Sequence, residues 1–361
     1  MRAILLLSAP VLLLACGKAV VRLEAGPPPS PDTGPRQAGD GGHSRGDMAG
    51  TNSDGGETAR ADAGDEIPPN PFGPVGPVRL ESGTVAGRAY LAAVPTNAHG
   101  LAFYFHDSGK DESALLRVEV QDLIQRFNQR LVAVVALRAS GGDPRRWDVN
   151  NLSANDNQDW PALVALRDAL VASTDLGPNG PVYAVGQGNG GTFATLFAYL
   201  AHEAGWTVSG AMIHGAPIAG GWVTGAYSPR STFVLSENDE VVNEARLLDQ
   251  LRSLEAREVP YTLLRCEEKS LHRWRFTRIP GLDQETSDLV FLELKDLGII
   301  NSEGQRLVPI QEAWVRAARH PFWPDTIRPH LPAIEDQLRV VWAARTFCGN
   351  HLPAEIRFLL P

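Results

Sequence analysis

The sequence predicts an α/β fold: a doubly wound, mostly parallel sheet with a helical extension at the C-terminal end. Three observations carry this expectation. Short apolar runs of strand length alternate with segments of helical spacing from residue 77 onward. The runs at 100–105 and 130–137 are apolar almost throughout, the pattern of strands covered on both faces. A glycine-rich turn, Gly186-Gln-Gly-Asn-Gly-Gly191, joins one such run directly to a helical segment.

The elements follow in order. Residues 78–95 alternate as a strand pair, and residues 100–105 form the next strand. Helical spacing over 112–129 leads to the strand at 130–137. The second helix, 160–173, places Leu163, Leu166 and Leu170 on one face and passes through Gly177-Pro-Asn-Gly180 to the strand at 181–185. After the glycine turn come a helix at 192–204, strands at 208–213 and 232–235, a helix at 242–257 and a strand at 261–266. Strands separated by helices imply right-handed crossovers, and sites in such sheets form at the carboxyl ends of the strands. Further on, 288–297 and 333–344 read as helices, with a hairpin-like 300–308 after the first.

The chain has 361 residues, 43% of them hydrophobic, enough for one large core. Its beginning does not belong to that core. Met1-Arg2 is a short positive start, 3–15 is apolar and rich in Leu, and Leu13-Leu14-Ala15-Cys16 ends in small residues before a cysteine. The apolar run is too short to span a bilayer. This segment resembles a bacterial lipoprotein signal with its lipobox. The resemblance implies cleavage before Cys16, lipid on its sulfur and amine, and, with Gly17 in place of an aspartate, the outer membrane. From 26 to 71 the chain is mostly Gly, Pro, Asp, Ser and Thr, a tether that cannot offset the entropy of ordering itself. A coil of that length reaches roughly 35 to 40 Å. The expected organisation is a signal peptide at 1–15, a lipidated cysteine and tether at 16–71, an α/β domain at 72–280, and an extension at 281–361 that packs on the domain or caps it.

The net charge of −9 is scattered and no run of Lys or Arg invites nucleic acid, so the expected membrane contact is through the lipid alone. With Cys16 assigned to lipid, Cys266 and Cys348 remain, either as a disulfide or as two separate buried thiols. No cofactor or metal is expected: the nine histidines are dispersed, and Asn155-Asp-Asn-Gln-Asp159 lacks the glycine and terminal glutamate of a calcium loop.

Four strand ends carry chemistry. Val182-Tyr-Ala-Val-Gly-Gln-Gly-Asn-Gly-Gly191 is similar to the G-x-S-x-G turn of a serine hydrolase with Gly188 at its centre. His106-Asp107-Ser108-Gly109 is similar to a His-Gly oxyanion segment, although Asp107 stands where glycine is usual. Leu235-Ser-Glu-Asn-Asp239-Glu-Val-Val242 resembles a loop carrying the catalytic acid, and His272 follows the strand ending at Cys266. Together with Arg146-Trp147 upstream, residues 77–280 resemble the α/β-hydrolase superfamily, nearest to secreted esterases and polyester-depolymerase-like proteins. The resemblance implies that Asp239 and His272 are triad-equivalent, that Gly188 holds the nucleophile's place, and that the amides of Asp107, Ser108 and Asn189 are oxyanion donors. Simpler roles stay open at several positions. Asp239 is also placed to cap the helix near Val242, and His272 to be a surface histidine, with His351 its rival. His214 either lines the cleft or is buried structure. Ser108 and Thr192 are the nearest hydroxyls, the first without a visible base and the second expected to point away.

Glycine has no group to attack a carbonyl, and loss of a triad serine costs about six powers of ten in turnover. The expected function is a cell-envelope lipoprotein whose esterase-like domain has lost or weakened catalysis and binds a ligand or partner, such as a small or polymeric ester. Two alternatives remain: an active envelope ester or polymer hydrolase using another nucleophile or direct water attack, and an interaction lipoprotein whose cleft is filled by side chains.

Overall fold

A computed structural model describes residues 73, 75, 76, 78–220, 227–320 and 323–360. The signal segment, Cys16 and the tether lie outside the described residues. Eight strands form one sheet: β1 (Glu81–Val85), β2 (Arg88–Ala93), β3 (Gly100–Phe105), β4 (Val132–Leu137), β5 (Val182–Gln187), β6 (Val208–His214), β7 (Ser231–Ser236) and β8 (Tyr261–Cys266). Their order is β1-β2-β4-β3-β5-β6-β7-β8. β1 and β2 pair antiparallel, β2 joins β4 antiparallel, and every later pairing is parallel. This is the doubly wound, mostly parallel α/β arrangement that the sequence predicts.

The helices are α1 (Val118–Asn128), α2 (Trp160–Ser173), α3 (Asn189–Glu203), α4 (Glu244–Ala256), α5 (Gln284–Asp296), α6 (Ile310–Arg319), α7 (Leu331–Val341) and α8 (Leu352–Leu359). Side chains alternate across each strand and so supply two cores. Phe103 and Phe105 face α2 and α3, where they meet Phe193, Phe197 and Trp147. Ala102 and Tyr104 face the other way, toward Val120, Leu123 and Phe127 of α1 and Ile356 and Leu359 of α8. Both faces of β3 to β7 are therefore dry, which is why these strands read as apolar runs.

A third core lies in residues 267–342. Phe276, Val290, Phe291, Leu294, Ile334 and Leu338 pack together there, with Val118 of α1 joining them. Charge also crosses this boundary. Glu119 Oε1 accepts from Arg275 Nη2 at 3.0 Å and from Gln337 Nε2 at 3.1 Å, while Arg278 Nη2 donates to Glu119 Oε2 at 3.1 Å and to Asp122 Oδ2 at 3.3 Å. Burial pulls the Arg275 guanidinium down to about 10, partly offset by Glu119.

Two features redraw the boundary expected at residue 280. The third core already includes Leu271, Phe276 and Ile279. After residue 342 the chain then returns to the sheet, where Phe347, Leu352, Ile356 and Leu359 cover Tyr183 and Met212. The sheet requires this, because α1 alone cannot cover that face. α8 and α6 were not anticipated from the sequence; α8 is only eight residues long and starts at Leu352-Pro353, so its period is brief. Cys266 and Cys348 form a disulfide that ties the end of β8 to the returning segment. Among the described residues no helix is long and apolar enough to cross a membrane.

Candidate functional site

The glycine turn connects β5 to α3 without an intervening loop. A Cβ on Gly186 would overlap the carbonyl of Gly190, and one on Gly190 would overlap the carbonyl of Phe105, so strand and helix touch through backbone. Gly188 stands between them with φ 57° and ψ −123°, a left-handed conformation that L side chains rarely adopt. Its N–H donates to His214 O at 2.9 Å, and its carbonyl accepts from Thr192 N at 3.0 Å. α3 thus begins at Asn189 rather than 192, since its first glycines continue the helix.

The space above Gly188 is filled. A Cβ there would overlap the Asp107 carboxylate and stand 2.5 Å from Arg345 Nη2. Asp107 Oδ1 accepts from Asn189 N at 2.9 Å and Ser108 N at 2.8 Å, and Arg345 Nη2 lies 3.2 Å away. Three donors therefore converge on one oxygen. The amides of Ser108 and Asn189, expected to be oxyanion donors, both point at the side chain of Asp107. The loop carrying Asp107 is held by buried contacts. His106 pairs through Nδ1 with Asp107 O at 2.9 Å and accepts from Ala139 N through Nε2 at 3.3 Å, and burial lowers its pKa. Trp147 Nε1 donates to His106 O at 3.0 Å, and Trp147 N donates to Asn189 Oδ1 at 2.6 Å.

Arg345 belongs to the returning segment. Asn238 anchors that segment beside the end of β7, with its N–H on Ala343 O at 2.9 Å and its amide on Trp342 O at 2.7 Å. Thr346 accepts from Arg117, Phe347 stacks on His214 with ring centroids 4.0 Å apart, and Cys348 is bonded to Cys266. These contacts flank Arg345 on both sides and aim it at the turn.

Asp239 Oδ2 lies beside Gly215. It would be 2.9 Å from a Cβ on Gly215, and Arg345 Cγ would be 3.6 Å from it. Asp239 Oδ1 accepts from Val241 N and Val242 N at 2.9 and 3.1 Å, and Asn243 caps α4 through Arg246 N. Asp239 thus borders the site and also closes the turn before the helix. His272 lies elsewhere: it is exposed and stacked on Trp274, with centroids 5.4 Å apart. The segment after β8 departs into the third core, which carries residue 272 away from β7. His351 binds Arg265 O at 2.7 Å, and His214 is fully buried with Nε2 3.2 Å from Glu355 Oε1. Ser108 is exposed, and Thr192 donates to Pro217 O at 3.1 Å.

In the hydrogen bonds and ion pairs of the described residues, His106 reaches the Asp107 carbonyl, and no histidine side chain reaches Gly188 or the Asp107 carboxylate. The two side chains that do reach this point, Asp107 and Arg345, were not assigned such roles from the sequence. The disulfide was the usable signal: pairing Cys266 with Cys348 puts residue 345 just past β8. Beside Gly188 is a cavity of about 230 Å³ bordered by Thr192, Pro217, Val241, Val242, Arg246 and Arg345. Among the described residues no group of three or more His, Cys, Asp or Glu could hold a metal ion.

No family model and no curated protein matches this chain. Similar solved structures include S-formylglutathione hydrolase FrmB from Staphylococcus aureus, at 12% identity and a TM-score of 0.39, covering 52% of this chain and 87% of that one. An arylesterase matches at 13% identity and a TM-score of 0.40 over 64% of this chain and 87% of its own. Esterase PE8 matches at 18% identity and 0.37, over 61% and 99%.

Proposed function

We propose that this protein is an exported cell-envelope lipoprotein whose esterase-like domain does not catalyse ester hydrolysis and instead binds a ligand at the carboxyl ends of its strands. One observation carries the non-catalytic reading. The Asp107 carboxylate fills the space a nucleophile on residue 188 would need, and it takes two of the three amides expected to stabilise an oxyanion. A second point supports it: the side chain that meets the Asp107 carboxylate is Arg345 rather than a histidine, and a guanidinium donates hydrogen bonds but has no acceptor with which to serve as a general base. The nucleophile is thus absent, no imidazole reaches its place, and two of the three expected oxyanion donors are engaged.

The test is labelling of the purified chain by a fluorophosphonate together with turnover of p-nitrophenyl butyrate. No label and turnover at the buffer rate are the expected results. Labelling at Ser108, or turnover lost in Ser108→Ala, would replace this reading with that of a working hydrolase.

The envelope assignment rests on the lipobox-like Leu13-Leu14-Ala15-Cys16 and the tether after it. Lipid on Cys16 would anchor the domain to the outer membrane. Membrane fractionation of the native chain against Cys16→Ala tests this: the native chain should sediment with membranes, and equal distribution of both would refute it.

A further inference from the structure

We propose that the cavity beside Gly188 binds a small organic monocarboxylate, with its anionic end on Arg246 and Arg345 and its apolar part against Val241 and Val242. This deepens the binding reading above and rests on it.

Charge is sorted between two depressions that meet at Val242. One is bordered by Glu237, Asp239, Glu244, Glu267 and Glu268 around a single Arg265, which Glu244 already engages. The other is lined by Arg246 and Arg345, with Asp107 against Arg345 and Asp239 of the first depression beside Gly215. An anion is therefore disfavoured at the first relative to the second.

The two arginines have capacity for a ligand. Arg246, in the first turn of α4, has no ion-pair partner among the described residues, and the positive end of that helix dipole adds to its field. Arg345 has one side-chain hydrogen bond among the described residues, to Asp107 at 3.2 Å, and its Nε is buried without an acceptor there. With Asp107 against Arg345, Arg246 is the cavity arginine without an ion pair among the described residues, and one such cation matches a monoanion better than a phosphate dianion. Size and polarity narrow the ligand further. At about 230 Å³ the cavity is below the range that holds drug-sized molecules. Val241 is 65% exposed at its edge, so a short branched alkyl group would bury surface that is otherwise wet.

The test is calorimetric titration of the purified full chain with isovalerate, with its neutral isostere isovaleramide, and with inorganic phosphate, repeated on Arg246→Gln and Arg345→Gln. Arg246 is exposed, so its variant keeps the fold. Isovalerate should bind at least tenfold more tightly than isovaleramide or phosphate, and each variant should lose at least tenfold. Equal binding of acid and amide, tighter binding of phosphate, indifference to Arg246→Gln, or no isovalerate binding would each overturn the proposal. Ester turnover by the native chain would instead sink the non-catalytic reading, and it is measured separately, so the two failures are distinguishable.

Discussion

The boundary between α1 and residues 267–342 and the turn at Gly188 both set carboxylates against arginines, yet solvent reaches only one of them. At the boundary the side chains of Arg275, Arg278 and Glu119 are 4%, 1% and 5% exposed. At the turn Arg345 and Asp107 are 27% and 19% exposed. A charge stripped of its partner has no water to turn to in the first case and some in the second. The boundary charges are thus fixed by folding, whereas the Asp107 plug is removable.

The strongest way to break this contrast is Glu119→Ala. It removes the carboxylate that two buried guanidinium groups share and should cost about 3–5 kcal/mol, read as a lower denaturation midpoint in urea. A loss under 1 kcal/mol would mean that water enters the boundary. Gly188→Ser comes next. It forces a side chain into a left-handed backbone and against Asp107, so destabilisation of about 1–3 kcal/mol is expected. Adding Asp107→Gly should return part of that loss, because the overlap disappears while the backbone cost stays. Asp107→Ala alone should change stability by less than about 1 kcal/mol, since water can replace the lost oxygen at the amides of Ser108 and Asn189. A cost comparable to that of Glu119→Ala would make the plug structural too.

The smallest effect concerns pH. His106 is buried and its pKa lies below the usual 6.5, so the folded state holds the neutral ring while the unfolded chain takes up a proton. Its contribution is present above pH 6.5 and is lost as pH falls through the folded value. Stability of the native chain should therefore drop on acidification below 6.5, and His106→Asn should flatten that slope.

The fold was legible because its strands are buried on both faces and its helices keep their period. Residues 100–105, 160–173 and 261–266 have the bounds read from the sequence. The turn was legible too, since Gly186 and Gly190 are demanded by backbone contact wherever the chain goes afterwards. Its side-chain environment was not. Asp107 and Arg345 are 238 positions apart, and their meeting depends on the excursion through residues 267–342 and on the disulfide that ends it. His272 followed β8 in the sequence at a plausible distance, but local order cannot reveal that the chain leaves the sheet there. Charge patterning likewise gave no hint that Glu119 and Asp122 on α1 would face Arg275 and Arg278 rather than solvent.

The most direct test of the central claim is ester turnover by a rebuilt site. Asp107→Gly, Gly188→Ser and Arg345→His, combined in one chain, remove the plug, supply a nucleophile and place an imidazole beside Asp239. The account predicts that p-nitrophenyl butyrate is hydrolysed by this variant and not by the native chain, and that Asp239→Asn abolishes the gain. Turnover by the native chain at or above the rate of the rebuilt one would contradict it.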